Sequence, residues 1–273
     1  MPARARPTAA LKRRAPHLHP SPRKADTVAN NLLERIVAGG FTVGATLPTE
    51  DELADEYKVN RSVVREAIKL LEVHSLVKPV RRRGTEVLDP MASISPRVLR
   101  AMLSPAPGRV DLTVLASFLE LRAAIDVEMS TLAAQRRTPK DVARMRGALA
   151  AMGACLGDQP AYADAHGHLS DAIAAATHSV AFTFIAHWHQ QISLDLDRVY
   201  SVVRQATGQH LAGMTFLVDL MEQGDVDTVR QVLNQAHAWG RPRMLAAAAL
   251  LNGDPMEDIL ADANPSPARP GPH

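Results

Sequence analysis

The chain has 273 residues, enough for two domains with a sizeable core, and 46% of them are hydrophobic but only 4% aromatic. A single cysteine, Cys155, excludes an intramolecular disulfide and a cysteine-rich zinc site and fits a reducing cytoplasm. The formal net charge is only +2, but it is unevenly spread: residues 1–90 carry 16 Lys and Arg against 11 Asp and Glu, and residues 91–273 carry 15 against 18.

No apolar run approaches the length of a membrane span, and no apolar stretch follows the basic N-terminus as it would in a secretory signal. Residues 1–25 hold seven Lys and Arg, no acid and five prolines. That composition predicts a disordered basic arm, either an unselected tail or a source of extra phosphate contact. A first helix is expected from Asp26, as its cap, to about Ala38, with Val28, Leu32, Leu33, Ile36 and Val37 apolar and Gly39-Gly40 ending it. Thr49 is an N-cap with Glu52 completing a capping box, and the helix behind it runs to about Lys58. Asn60 caps a third helix to about His74, with Val63, Val64, Ala67, Ile68, Leu70 and Leu71 on its apolar face. Leu76–Val80 and Thr85–Leu88 are β-prone runs around a tip of Arg81, Arg82, Arg83 and Gly84.

Arg61, Arg65 and Lys69 recur one turn apart on the third helix. A helix fits the major groove, and in a helix-turn-helix the N-terminal residues of the second helix meet the base edges. Arg61, Ser62 and Arg65 sit there. Arginine can grip guanine O6 and N7 with two hydrogen bonds, whereas Ser62 and Lys69 suit phosphate or nearby bases. The arginine tip suits a phosphate backbone or a minor groove. A lone basic helix is most simply a solvated surface; the ordered succession of capped helix, turn, capped basic helix and arginine-tipped hairpin points to DNA.

Residues 90–110 form a linker with Pro90, Pro96, Pro105, Pro107 and Gly108 and a short helix expected at Arg97 to Leu103. From Asp111 the pattern is continuous amphipathic helix, with segments at 111–136, 139–155, 160–177, 180–205, 208–222 and 226–250 and a short one at 255–261. The expected architecture is mainly α: an N-terminal winged helix-turn-helix of three helices and a small β-wing over 26–89, then an all-α bundle of six to seven helices over 111–250. Residues 251–273, with four prolines from 263 onward, read as a mostly disordered tail.

LPTEDELA, VNRSVVREAIKLLE, and LV with RRRGTEV resemble the winged helix-turn-helix of the GntR family of bacterial transcription regulators over about Ala25 to Asp89. The resemblance implies that Arg61 and Arg65 are the recognition-helix arginines and that Arg83 and Gly84 form the wing tip entering the minor groove. It also shows one departure: Asp51 stands where the family has an arginine that touches DNA. A carboxylate there repels phosphate unless it accepts from a cytosine amino group or pairs with a neighbouring arginine.

FLELRAAIDVEMSTLAA, ADAHGHLSDAIAAAT and a closing long helix resemble the FCD ligand-binding domain of the FadR subfamily over about 112–250. Asp164 and His168, at i and i+4, share a helix face and offer half of an N/O metal site, although such a pair is more often a simple hydrogen bond. The resemblance implies a divalent metal, zinc before nickel or manganese, completed by two histidines and holding a carboxylate effector. His210 and His237 complete the set in one register; in another the positions fall on Met214 and Ala236, and the pocket works without metal. Arg122 matches the family's pocket arginine and would pair with the effector carboxylate; its plain alternative is an i,i+4 pair with Asp126.

The function implied is a cytoplasmic, nucleoid-associated bacterial regulator, a homodimeric repressor on a palindromic operator, released by a small organic acid such as a sugar acid. A metal-free regulator answering to a fatty acyl-CoA and a direct metal sensor are the alternatives. No nucleophile elbow, phosphate loop or HExxH pair supports an enzyme.

Overall fold

The structure, a computed structural model, describes residues 23–106, 108–193 and 196–254. The basic arm apart from its last three residues, the helix expected at 255–261 and most of the tail lie outside them.

Three helices open the chain: α1 (Lys24–Val37), α2 (Glu50–Tyr57) and α3 (Arg61–Val73). The second and third begin as their caps dictate. Thr49 and Glu52 form the reciprocal capping box, and Asn60 accepts from the Val63 amide. Asp26 is not the cap of α1, however; the helix begins two residues earlier, and Asp26 lies in its first turn, where a carboxylate suits the positive end of the helix. Lys58 takes a left-handed conformation (φ 52°) and turns the chain sharply between α2 and α3. Leu32, Leu53, Val64, Ala67, Leu71 and Leu76 are almost wholly buried where the helices meet. Arg35 binds both Glu56 and Tyr57, and Tyr57 donates to Asn31, so α2 is pinned to α1 by polar contacts as well.

The wing is an antiparallel pair, β1 (Val77–Val80) and β2 (Gly84–Val87), with Val77 opposite Val87 and Val80 opposite Gly84. Leu47 N–H bonds Thr85 O and Val87 N–H bonds Ala45 O, so residues 44–47 run along the free edge of β2. Pro79 lies in β1, which is the outer strand and has no further neighbour to deprive of a donor.

The connection holds a 3-10 turn (Pro90–Ala92) and α4 (Pro96–Leu103). Val98 of α4 is buried in the core of the first three helices, and Leu103 in a core formed with the later ones. Seven helices follow among the described residues: α5 (Leu112–Arg136), α6 (Pro139–Ala154), α7 (Gln159–Ala176), α8 (Val180–Ser193), α9 (Asp197–Tyr200), α10 (Gly208–Gln223) and α11 (Val226–Asn252). Asp111, Thr138, Asp158, Thr207 and Asp225 cap five of them through side-chain oxygens. The single helix expected over 180–205 is instead α8 followed by the four-residue α9. Leu196, Val199 and Tyr200 turn inward there, against Phe118, Leu119 and Met244. The architecture is thus a helical, β-winged N-terminal unit followed by an all-α bundle.

Candidate functional site

The first site is the outer face of α2, α3 and the wing. Arg61, Ser62, Arg65 and Lys69 are all solvent-exposed on α3. Neither arginine is free of α2: Arg61 forms an ion pair with Asp51, and Arg65 donates to Glu50 from Nε at 3.1 Å and Nη2 at 2.7 Å. The carboxylate that breaks the expected pattern is therefore neutralised by one of the arginines it would otherwise weaken. Ser62 donates its hydroxyl to Asn60 Oδ1 at 2.8 Å, so it is engaged at the helix cap.

Arg81, Arg82 and Arg83 form the exposed turn between the two strands, with Arg82 in the left-handed region at φ 65°. Gly84 is the first residue of β2, at φ 96°, and a β-carbon on it would lie 2.8 Å from Thr46 Cγ2. Only glycine combines that backbone with that approach.

The second site is a pair of cavities in the bundle. The smaller, about 250 Å³, lies among α5, α7, α9, α10 and α11; the larger, about 460 Å³, lies among α5, α7 and α8. Arg122, Asp126, His166, Ser170 and Arg204 border both. Arg122 donates to Asp126 at 3.1 Å, and its guanidinium stands 4.6 Å from the centre of the Tyr200 ring. Arg204, in the irregular segment after α9, stands 4.1 Å from the same ring. Asp126 is bonded to Arg122, and Asp197 and then Asp126 favour the charge on Arg204. Arg204 Nε and the Tyr200 hydroxyl are buried without a hydrogen-bond partner.

Electrostatics follow the crowding. Burial and the neighbouring Arg122 push the Arg204 pKa down to about 10. Burial also works against the Arg122 charge, but Tyr200 and Asp126 outweigh it and its pKa is raised. Burial lowers His166, His210 and His237, so these side chains are neutral near pH 7.

The four expected metal ligands are not brought together. Asp164 and His168 line the larger cavity, whereas His210 and His237 line the smaller. The pair on α7 that faces the smaller cavity is His166 and Ser170, two residues further on in each case. His210 accepts or donates at 2.8 Å with the Tyr162 hydroxyl, and His237 lies 3.6 Å from Asp126. Among the described residues no three His, Cys, Asp or Glu side chains stand close enough to hold a metal ion. Arg122 pairs with Asp126 and borders both cavities.

His166, Arg204, Tyr200 and His189 are cavity residues that sequence reasoning did not select. His166 lies two positions from His168 on α7 and borders both cavities, and His189 lies two positions from His187 on α8 and borders the larger one.

Two family models match the chain: the gntR family of bacterial regulatory proteins over residues 24–87, and the FCD domain over residues 117–237. Together they span well over half of it. The chain belongs to the GntR family of DNA-binding transcription regulators and carries an FCD domain, and that family is not a catalytic one.

An uncharacterized HTH-type transcriptional regulator of Mycobacterium tuberculosis is 32% identical over 124 residues, which are 45% of this chain and 50% of the relative. The galactonate operon transcriptional repressor of Escherichia coli is 26% identical over 186 residues, 67% of this chain and 77% of the repressor. The chain thus spans about half the length of the mycobacterial relative. Among solved structures, Lar of Listeria monocytogenes superposes with a TM-score of 0.57 at 18% identity, covering 83% of this chain and 98% of Lar, which shows a shared fold. No helix among the described residues is long and apolar enough to cross a membrane.

Proposed function

We propose that this regulator is a homodimeric repressor of the FadR subfamily, whose grip on a palindromic operator is released by a small carboxylate bound in the FCD bundle. The observation that carries the reading is the pair of guanidinium groups at Tyr200: Arg122 is bonded to Asp126, whereas Arg204, whose charge is favoured by Asp197 and then Asp126, keeps a buried Nε with no partner. A buried guanidinium N–H left unbonded is costly, and a ligand carboxylate supplies both charge and paired acceptors. Cavities of about 250 and 460 Å³ suit a compact acid better than a fatty acyl-CoA. The resemblance to the galactonate operon repressor supports a sugar acid first.

On the DNA side, Arg61 and Arg65 are assigned the base edges, Lys69 and Ser62 the phosphates, and Arg83 with Gly84 the minor groove. Two copies of α3 must reach half-sites about one helical turn apart, which is the physical reason for a dimer. Effector binding acts by favouring one arrangement of the two winged units over another, and only a difference in affinity between the arrangements can do so. The connection offers a route. Trp188 on α8 donates to Ile94 O at 2.8 Å, His74 at the end of α3 bonds Ser95 Oγ at 2.8 Å, and α4 buries its two ends in different cores.

The test is a thermal-shift screen of small organic acids followed by gel shift on the operator, with and without chelator. A stabilising acid that also releases DNA, unaffected by chelator, supports direct capture by the arginines. Loss of the effect with chelator would instead require a metal, with zinc, nickel and manganese as the ions to restore. Release by metal ion alone would make the protein a metal sensor.

A further inference from the structure

The larger cavity contains polar groups that the arginine pair does not explain. His189 is only 8% exposed, and neither of its ring nitrogens has a hydrogen-bond partner. Its ring is fixed in place: it stacks on Phe118 at 4.5 Å with 19° between the planes, and Trp188 meets it edge-on at 6.4 Å. Across the cavity on α7, His166 Nδ1 is also buried and unpartnered. Buried polar atoms left unbonded are costly, so three of them around one cavity make it a place where the polar groups of a ligand would be bonded.

The protonation state narrows the chemistry. Burial, then the nearby Arg122 and Arg204, hold His189 down to about 3 despite the opposing pull of Asp126. A neutral imidazole presents one N–H donor and one bare acceptor. A hydroxyl group, donor and acceptor at once, matches it. A second carboxylate could use only the donor and an ammonium only the acceptor. The remaining wall agrees: Ser170 and Ser193 add hydroxyls, and Gln190, already bonded to Asp171 at 2.7 Å, retains its amide oxygen. Asp164 and Asp197 lie exposed at the rim, where solvent screens them.

We propose that the cavity between α5, α7 and α8 is a hydroxyl-reading subsite: a polyhydroxylated acid lies with its carboxylate on Arg122 and Arg204 and its hydroxyl-bearing chain against His189, His166, Ser170 and Ser193. The proposal rests on the carboxylate reading above and adds the part of the ligand that sets specificity. An acid of equal length without hydroxyls leaves His189 unbonded and is rejected for that reason. A site built to bond hydroxyl groups discriminates far more strongly than an apolar pocket of the same shape.

Titration calorimetry of the full chain with galactonate and gluconate, with hexanoate, and with 6-aminohexanoate tests it. At least one of the two sugar acids should bind about 100-fold or more tighter than either other acid. His189→Phe keeps the stack on Phe118 and removes both nitrogens; it should weaken the sugar acid about tenfold or more and leave hexanoate unchanged or slightly tighter. Ser193→Ala, at the end of α8, should cost the sugar acid several-fold and hexanoate nothing. If His189→Phe fails to fold, the wild-type ratio and Ser193→Ala still decide the matter. Equal binding of hexanoate, tighter binding of 6-aminohexanoate, or sugar-acid affinity unmoved by both variants would overturn the subsite. In the first and last of these cases, loss of all acid binding in Arg204→Met would leave the carboxylate reading standing. Binding of none of the four acids would overturn the subsite and count against that reading as well.

Discussion

Arg65 on α3 donates to both oxygens of Glu50 on α2, Nε to Oε1 at 3.1 Å and Nη2 to Oε2 at 2.7 Å. The hydrogen bond from Arg65 lowers the Glu50 pKa, and the carboxylate raises that of Arg65. Both side chains are solvent-exposed, so the pair adds little to stability. Its consequence is geometric: a two-point contact fixes the plane of the guanidinium fork. Arg61, one turn earlier on α3, forms a single ion-pair contact with Asp51 through Nε.

Arg65→Ala is expected to cost about 1–3 kcal/mol in operator binding and to relax selectivity at one base pair. Glu50→Gln should keep much of the affinity but blur that same position, because the fork is no longer held. Gel shifts on operators varied one base at a time give both readouts. Unchanged affinity for Arg65→Ala would remove that residue from the base-reading set.

The winged part was legible because each of its elements announces itself locally. Thr49 with Glu52 and Asn60 mark two helix starts, and the arginine-glycine run marks the hairpin. Asp26 misled because a carboxylate is favoured both at a cap and in the first turn, and sequence alone does not separate the two. The bundle was legible as helices but not as a site. No glycine or proline lies between α8 and α9, and Leu196, Val199 and Tyr200 pack in one core with residues of α5 and α11. On α7 a two-residue change of register turns a side chain by about 200°, which is why His166 and Ser170, rather than Asp164 and His168, meet the smaller cavity. Arg204 lies far along the chain from Arg122, and only the fold puts both beside Tyr200.

Arg204→Met should separate stability from response. The guanidinium has a buried, unbonded Nε and stands near Arg122, and burial and Arg122 outweigh the favourable Tyr200, Asp197 and Asp126, so an apolar side chain of similar length removes a disfavoured charge. The ligand-free protein is expected to melt at the same temperature or a few degrees higher, while stabilisation by the acid disappears. A thermal melt with and without effector measures both. A large drop in the melting temperature without ligand would mean that Arg204 is held by the protein itself.

His189 predicts a specific acid response. Its folded pKa is about 3 against an ordinary 6.5, so the unfolded chain takes up a proton that the folded chain refuses. Its contribution to stability is fully present above pH 6.5 and is lost progressively as the pH falls toward 3, at up to about 1.4 kcal/mol per pH unit. His189→Phe should therefore flatten the fall in unfolding free energy over that window. Denaturant titrations at pH 7, 6, 5 and 4 supply the comparison, and parallel curves for the two proteins would show that the imidazole is not excluded from protonation.

Trp188 joins the cavity wall to the connection. It is next to His189 on α8, meets that ring edge-on, and donates its indole N–H to Ile94 O at 2.8 Å. The carbonyl lies just ahead of α4, whose Val98 sits in the core of the DNA-binding unit. A shift of α8 on ligand binding therefore pulls on the segment that sets the position of α1 and α3. Trp188→Phe preserves most of the ring packing and deletes only the donor, worth about 1 kcal/mol. Both operator affinity and acid affinity should stay within about threefold of wild type, because the phenylalanine ring keeps the edge contact with His189 and the winged unit is unchanged. What should fall is the coupling between them, the ratio of operator affinities with and without acid. Gel shifts at zero and saturating acid measure it directly, and a wild-type ratio in this variant would place the coupling elsewhere in the fold.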